Sequence, residues 1–151
     1  MAYSPFSFNP QSTGSAESIT TNYTNASGSV AIPQAMAVYA NSSGLIVPLN
    51  VSSQASVSNM VGYANVRIPI SSSGPVISNG RLKLYTNTNS YPLGTPLYIG
   101  KDSNPTSIIP VAGSNGFVSG DYCIFLGVVV PNEVNILEFD ISLFTQVVGV
   151  L

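Results

Sequence analysis

Gly-Asp-Tyr-Cys-Ile-Phe-Leu-Gly-Val-Val-Val-Pro, residues 120–131, is the most clearly patterned stretch of the chain. Its apolar run from Cys123 to Val130 is rich in β-branched and aromatic residues, which favour strands. A Gly-Asp pair precedes the run and Pro131 follows it, and both are typical of turns. A short, continuous apolar run between turns predicts a strand that is buried on both faces. We therefore expect this strand to lie at the centre of the core.

Two stretches of the chain repeat one pattern. Residues 38–48 and residues 97–110 each read as an apolar-Tyr strand, a polar turn and an apolar strand that ends at proline. A later strand follows each of them and is entered through an apolar residue and a glycine, at Gly62 and Gly127. The repetition predicts two loosely related β units. The alternative is that any all-β chain with glycine and proline turns aligns loosely with itself.

The rest of the chain also reads as short strands. Apolar and polar residues alternate, as in residues 81–85, and no stretch keeps a helical period over three turns. Asn79-Gly80 is the strongest hairpin signal and predicts a type I′ turn. Residues 66–70 predict a further strand, and residues 54–56 at most one helical turn. The predicted fold class is all-β, a small barrel or sandwich of short antiparallel strands with an extended N-terminal arm.

The chain of 151 residues is long enough for one domain with a substantial core. Residues 1–28 are rich in Ser, Thr, Asn and Gly without periodicity, which is typical of an extended polar arm. We expect residues 29–151 to form the all-β domain. Three aromatic residues of the arm are candidates for partner contacts: Tyr3, Phe6 and Phe8. The alternative is that Ser18 to Tyr23 packs along the domain as an edge strand.

Charged residues make up only 7% of the chain, and its net charge is −2. Neutralising phosphates requires clustered Lys and Arg, so four scattered basic residues argue against nucleic acid as a partner. The same scarcity argues against a polybasic patch that would bind a membrane. Hydrophobic residues make up 44%, and depletion of charge marks the cores of protein interfaces. We therefore expect a homo-oligomer, or a subunit within an assembly, rather than a free monomer.

The C-terminal residues 143–151 are largely apolar to the last position. Four of them are candidates for partner contacts: Leu143, Phe144, Val147 and Val148. An apolar terminal strand commonly closes the sheet of its own domain, and it can also add to the edge of a neighbouring subunit. The sequence leaves both interpretations open.

The chain offers few residues for catalysis or metal binding. It has no histidine and a single cysteine, so histidine triads and thiolate metal clusters are excluded. Glu138 and Asp140 lie two residues apart on one predicted strand, which favours a solvated stripe over a catalytic pair. Residues 102–104, Asp-Ser-Asn, fit a turn capped by its own side chains better than a calcium loop. We expect no enzyme activity, no cofactor and no metal.

The sequence contains no pattern of a targeting or membrane signal. Lysine and arginine are absent before Arg67, and no apolar run approaches the roughly 18 residues that a membrane span requires. We therefore expect synthesis in a cytosol without a Sec-type signal peptide.

Four motifs in the second half of the chain are similar to a known family. In order they are Gly94–Ile99, Ile108–Pro110, Gly120–Tyr122 and Leu126–Val129. This order resembles the β-domain of tailed-phage capsid decoration and head-fibre proteins, which shows a G-x-x-L-Y motif, a turn, an apolar-Pro pair, G-D-Y and an apolar-Gly-apolar strand. The first unit looks like the upstream half of the same domain, so the resemblance covers about residues 29–141. The residues that carry this part are Val38, Tyr39, Gly44, Val61–Ala64, Gly74, Val76 and Gly80.

The resemblance implies a non-enzymatic virion structural protein on the capsid exterior, often a homotrimer, made in the host cytoplasm. Residues 1–28 would then anchor the chain to the capsid protein or to other virion subunits. Two alternatives are a glycan-binding phage tail or fibre module and a small coat subunit. For the glycan-binding module, five tyrosines are candidates for stacking on sugars, although tyrosines in short strands more often line the edge of a core: Tyr39, Tyr63, Tyr85, Tyr91 and Tyr98.

Overall fold

The computed structural model describes residues 18–85, 91–134 and 138–151. The chain is almost entirely β, and an antiparallel sheet curls into a half-barrel, so the predicted all-β class is confirmed. The elements, in chain order, are β1 (Ile19–Thr24), β2 (Ala37–Ala40), β3 (Ile46–Pro48), α1 (Gln54–Ser58), β4 (Met60–Ala64), β5 (Ser73–Tyr85), β6 (Pro96–Ile99), β7 (Pro105–Thr106), β8 (Tyr122–Pro131) and β9 (Phe139–Val150).

One long strand, β5, joins the two halves of the sheet. The strand order is β3-β2-β4-β5-β9-β8-β6-β7, and β1 also pairs with β5. The first half of β5, residues 73–79, pairs with β1 and β4, whereas its second half, residues 80–85, pairs with β9. The two halves of the sheet therefore diverge at Gly80.

The predicted hairpin at Asn79-Gly80 is wrong, because both residues lie inside β5. Gly80 has a φ of 99°, which a type I′ turn would also require. In this fold the positive φ lies where β5 changes partner from β1 to β9. A Cβ at this position would lie 2.6 Å from the Ser18 Oγ. Glycine is therefore needed here for a change of strand partner and for the close approach of Ser18.

Two further predicted strands are absent from the described chain. Residues 66–70 form only a single bridge, between Ile32 and Ile68, and both of these side chains are buried. The segment therefore covers the core as a loop and does not extend the sheet. After β6 the chain returns as Pro105–Thr106, and the predicted strand at residues 108–110 is irregular. The helical turn predicted at residues 54–56 is present as α1, which Ser53 caps by accepting a hydrogen bond from the Ser56 N–H.

The two stretches with similar sequences have the same strand pairing. Each contains a short hairpin, β2–β3 or β6–β7, whose first strand pairs with the following strand, β4 or β8. Val38 lies opposite Gly62 and Leu97 lies opposite Gly127, and the register shifts just after each pair. The topology and the register are therefore equivalent in the two stretches.

Close strand crossings explain the two glycines at equivalent positions. A Cβ on Gly62 would lie 2.4 Å from the Ile77 carbonyl oxygen, and one on Gly127 would lie 2.1 Å from the Ser142 carbonyl oxygen. A side chain at either position would force the backbones apart, since these contacts are far inside van der Waals distance.

The main core lies between the two halves of the sheet. It includes Tyr63 and Ile77 from one half and Leu97, Leu126 and Ile141 from the other. A second cluster forms on the opposite face of the first half, where the loop residues Ile32 and Ile68 cover Val38, Ala64 and Val76. In β8, Ile124, Leu126 and Val129 belong to the main core, whereas Phe125 and Val128 are only half-buried. The predicted burial of this strand on both faces is thus incomplete.

The described part of the predicted arm belongs to the sheet. Residues 19–24 form β1 and pair antiparallel with residues 73–79 of β5. The alternative interpretation, an edge strand over Ser18 to Tyr23, is the one observed. Residues 1–17 lie outside the described residues.

Candidate functional site

The predicted partner-binding residues fall into three groups. Tyr3, Phe6 and Phe8 lie outside the described residues. Leu143 is 7% exposed and packs in the main core, so its predicted role as a surface contact is wrong. It lies where β9 is paired on both sides, with Gly80 of β5 and Gly127 of β8. Phe144, Val147 and Val148 are exposed side chains on β9.

The exposed residues lie on a part of β9 that is paired on one side only. Residues 139–143 pair with β5 and with β8. Residues 144–150, which we call the tail strand, continue the pairing with β8, but the pairing with β5 ends at Leu143. Within the described ranges no other strand pairs with the tail strand, so its second edge is open.

The tail strand exposes four large apolar side chains beside the polar Thr145 and Gln146. Phe144 is 67% exposed, and Val148 and Val150 are each 60% exposed. The strand contains no charged residue, and charge is one of the features by which natural edge strands avoid pairing with other chains. An open edge offers backbone hydrogen bonds, and alternate apolar side chains give specificity to an added strand. This arrangement is suited to binding an extended segment of a protein.

Contacts with the core hold the tail strand in place. The Tyr63 hydroxyl and the Thr145 Oγ1 are 2.7 Å apart and share a hydrogen bond. Burial raises the pKa of Tyr63 strongly, which keeps the phenol neutral and able to donate. At the end of the strand, the Leu151 N–H donates to the Asp121 carbonyl at 2.8 Å, and the Gly120 N–H donates to the Leu151 carbonyl at 2.8 Å. The tail strand is therefore presented as a fixed surface.

A buried carboxylate beside the end of β9 ties three segments together. Asp121 is 1% exposed and forms an ion pair with Lys101 from the β6–β7 turn. The Ser52 hydroxyl donates to the Asp121 Oδ1 at 2.6 Å, and the Val118 N–H donates to the Oδ2 at 2.9 Å. Hydrogen bonds from Lys101, Ser52 and Val118 lower the pKa of Asp121 to about 2, against the opposing effect of burial. The carboxylate is therefore charged at neutral pH, and both of its oxygens are engaged.

A second buried carboxylate corrects the prediction of a solvated stripe at residues 138–140. Asp140 is fully buried, whereas Glu138 is partly exposed. The Asn132 amide donates to the Asp140 Oδ1 at 2.9 Å, and the Arg81 guanidinium lies 3.4 Å from the Oδ2. Strand alternation indicated a shared face, but it could not show that this face is covered at Asp140. The pairing with Arg81 ties β9 to β5.

A cavity of about 440 Å³ opens beside the β6–β7 turn. Tyr91, Lys101, Asp102 and Phe117 contribute to its lining. Residues 102–104 form the predicted turn, in which the Asn104 N–H donates to the Asp102 Oδ1 at 3.1 Å. Lys101 is engaged by Asp121 and lies 5.9 Å from the centroid of the Phe117 ring. Both charged residues of the lining, Lys101 and Asp102, are thus already engaged by neighbouring groups of the protein.

Two of the tyrosines proposed for sugar stacking lie away from this cavity. Tyr63 is buried in the main core, and the ring of Tyr98 packs edge-on against Phe125 with a centroid separation of 5.6 Å. Tyr91 does line the cavity. Tyr91 is thus brought together with the polar groups of the β6–β7 turn, whereas the side chain of Tyr85 lies outside the described residues.

The described residues contain no group of three or more His, Cys, Asp or Glu side chains that could hold a metal ion. Cys123 is a buried free thiol, and burial raises its pKa. Among the described helices none is long and apolar enough to cross a membrane.

Sequence reasoning missed the partners of Asp121. The Gly-Asp pair before β8 indicated a turn, but Ser52 and Lys101 are distant in sequence and share no local pattern with it. The cluster around Asp121 and the open edge of the tail strand are the two features of the structure that bear on function. No protein-family model, no curated protein and no solved structure matches the chain.

Proposed function

We propose that this protein is a non-enzymatic structural subunit of a virus particle, a capsid decoration or head-fibre subunit on the capsid exterior. The observation that carries the binding role is the open edge of the tail strand, residues 144–150. The virion setting is supported by the resemblance of residues 29–141 to decoration and head-fibre proteins. Such an edge binds another chain through backbone hydrogen bonds and apolar side chains. Its partners are the capsid protein or other virion subunits, and the subunit itself is a homo-oligomer, with a trimer favoured by the family resemblance.

The composition of the surface supports a permanent place within an assembly. Phe144, Val147, Val148 and Val150 are all exposed on one uncharged strand. Large exposed apolar patches on soluble proteins mark interaction sites. Contacts of this kind, repeated over many copies, give strong binding from individually weak interfaces.

The state of the buried carboxylates supports binding rather than catalysis. A general acid or base works best with a pKa near the operating pH, whereas the pKa of Asp121 is lowered to about 2. Its oxygens accept from Ser52, Lys101 and Val118. Asp140 is engaged by Arg81 and Asn132. Both carboxylates therefore act as structural links.

The proposal predicts that the protein co-sediments with virus particles purified from its source. In a binding assay with these particles, the double variant Phe144→Ser, Val148→Ser should lose binding by about tenfold or more, because apolar anchors dominate interface energies. Both side chains are exposed in the free subunit, so the fold should be unchanged. The measurement is the bound fraction in a sedimentation assay.

Val111→Ser is the matched control, because Val111 is 55% exposed and lies on the loop before β8. It should bind like the unmodified protein. Absence of the protein from purified particles would overturn the proposed function, and equal binding by the double variant would overturn the role of the tail strand.

A further inference from the structure

β1 and the second half of β5 hold equivalent positions in the two units of the fold. Ile77 and Ser142 are equivalent, because their carbonyl oxygens lie against the equivalent glycines Gly62 and Gly127. Thr20 of β1 lies opposite Ile77, and Arg81 of β5 lies opposite Ser142. On the next positions, Thr21 lies opposite Val76 and Leu82 lies opposite Ile141. β1 therefore occupies on β5 the place that the second half of β5 occupies on β9.

The tail strand is the third member of this series. The number of residues that separates Ile77 from Ser142 in the sequence also separates Arg81 from Gln146 and Leu82 from Val147. β1 pairs with the first half of β5, and the second half of β5 pairs with the first half of β9. We call the half-strand that is added in this way the donor strand, and the strand with which it pairs the acceptor strand. Among the described strands, the tail strand has no acceptor strand. The fold thus has three equivalent donor strands and two acceptors.

The side chains show what the third donor lacks. Leu82 is fully buried where its strand lies on an acceptor, whereas the equivalent Val147 is 48% exposed. β1 has a threonine at the equivalent position, Thr21, and no residue of β1 is buried. The strand that occupies the first acceptor is therefore largely polar and contacts the core only through the partly buried Tyr23, whereas the strand without an acceptor is mainly apolar.

We propose that the tail strand of one copy pairs with residues 73–79 of β5 in a second copy, in the place of β1. The equivalence sets the register, with Gln146 opposite Ile77 of the second copy, Val147 opposite Val76 and Val148 opposite Pro75. Pairing of a strand from one copy with the sheet of another is a recurrent mode of association between chains. The contact is head-to-tail, so repetition produces a ring or an open chain. The proposal concerns the purified protein alone and does not depend on binding to a virus particle.

The test is disulfide crosslinking in the full chain. Val148→Cys and Pro75→Cys are combined, because the proposed register places these residues opposite each other at the spacing of a strand pair. We expect crosslinked dimers and higher species on a non-reducing gel after oxidation of the concentrated protein. The unmodified protein, with its buried Cys123, gives the background.

Two further changes make the test specific. Thr20→Pro with Thr21→Pro should raise the crosslink yield about tenfold, because neighbouring strand residues turn their N–H groups to opposite edges and one proline must remove a donor to β5. Val147→Lys should lower the yield about tenfold, since the lysine would be buried without a partner. Val111→Lys, at another exposed valine, should leave the yield unchanged.

Several results would overturn the proposal. One is an equal yield from Val148→Cys alone, which would show a tail-to-tail contact. Another is a yield that responds neither to the prolines in β1 nor to Val147→Lys. A circular dichroism spectrum shows whether the proline variant is folded; if it is not, the comparison between Val147→Lys and Val111→Lys decides.

Discussion

At the scale of single residues, the structure depends on carboxylates that are buried and paired. Asp121 connects the loop before α1 through Ser52, the β6–β7 turn through Lys101 and the loop before β8 through Val118. Its main-chain carbonyl also accepts from the Leu151 N–H. The lowered pKa of Asp121 should therefore be visible in the pH dependence of stability.

Asp121→Asn should lower the free energy of unfolding at pH 7 by about 2 kcal/mol, the typical value of hydrogen bonds to a charged group. The pKa of Asp121 is lowered from 3.8 to about 2 in the folded protein. Its contribution is therefore complete above pH 5, decreases as the pH falls below 3.8 and is lost below 2. The difference between the two proteins, measured by urea unfolding, should close over the same range.

Asp102→Asn is the matched control for this experiment. Asp102 is exposed and accepts from the Asn104 N–H within its own turn, a bond that asparagine can also accept. We expect its stability to follow that of the unmodified protein. A difference for Asp121→Asn that stays constant from pH 7 to pH 2 would contradict the assignment of the charged state.

At the scale of elements, strands were predictable where local pattern and turn chemistry sufficed. The strand at β8 and the turn at residues 102–104 follow from local sequence. The Asn79-Gly80 pair shows the limit, because the glycine is required but for a change of strand partner within β5. Which strand lies beside a given residue is a non-local property that no short stretch records.

The same limit applies to the candidate site. The apolar pattern of residues 143–151 indicated Phe144, Val147 and Val148, whose side chains are exposed, but it could not separate the buried Leu143 from them. Leu143 is buried because β5 pairs up to this residue and then diverges from β9. The boundary between core and open edge is set by the partner strand and not by the tail itself.

The crossing of β8 and β9 yields a prediction at this scale. Gly127→Ala should destabilise the protein by about 3 kcal/mol, since the new Cβ meets a backbone oxygen that cannot move alone. Gly149→Ala should change stability by less than about 0.5 kcal/mol, because a Cβ there has no atom within 4 Å. Thermal unfolding of the two variants is the measurement, and equal stability would contradict the crossing geometry.

At the scale of the whole molecule, the two equivalent units share one strand and one core. β5 completes both halves of the sheet, and Tyr63 and Ile77 pack in the same cluster as Leu97 and Leu126. Neither unit can bury its apolar face alone. The chain should therefore unfold as one cooperative body.

We expect residues 18–85, expressed without the rest of the chain, to show no cooperative thermal transition. This fragment would expose Tyr63, Ile77 and Leu82, which are all at most 1% accessible in the full chain. Residues 18–151 are the control and should keep a single transition, because they include every described element. A sharp transition in the short fragment would show that the units fold independently.

Because the two units share β5, tandem duplication can add a unit to this architecture more easily than deletion can remove one. Removing a unit would leave a half-strand of β5 without its ladder, so shortening is disfavoured. Adding a unit is different, because a third unit after β9 could pair with the open edge of the tail strand. The open edge is thus also the place where genes of this architecture can gain a repeat without breaking an existing one.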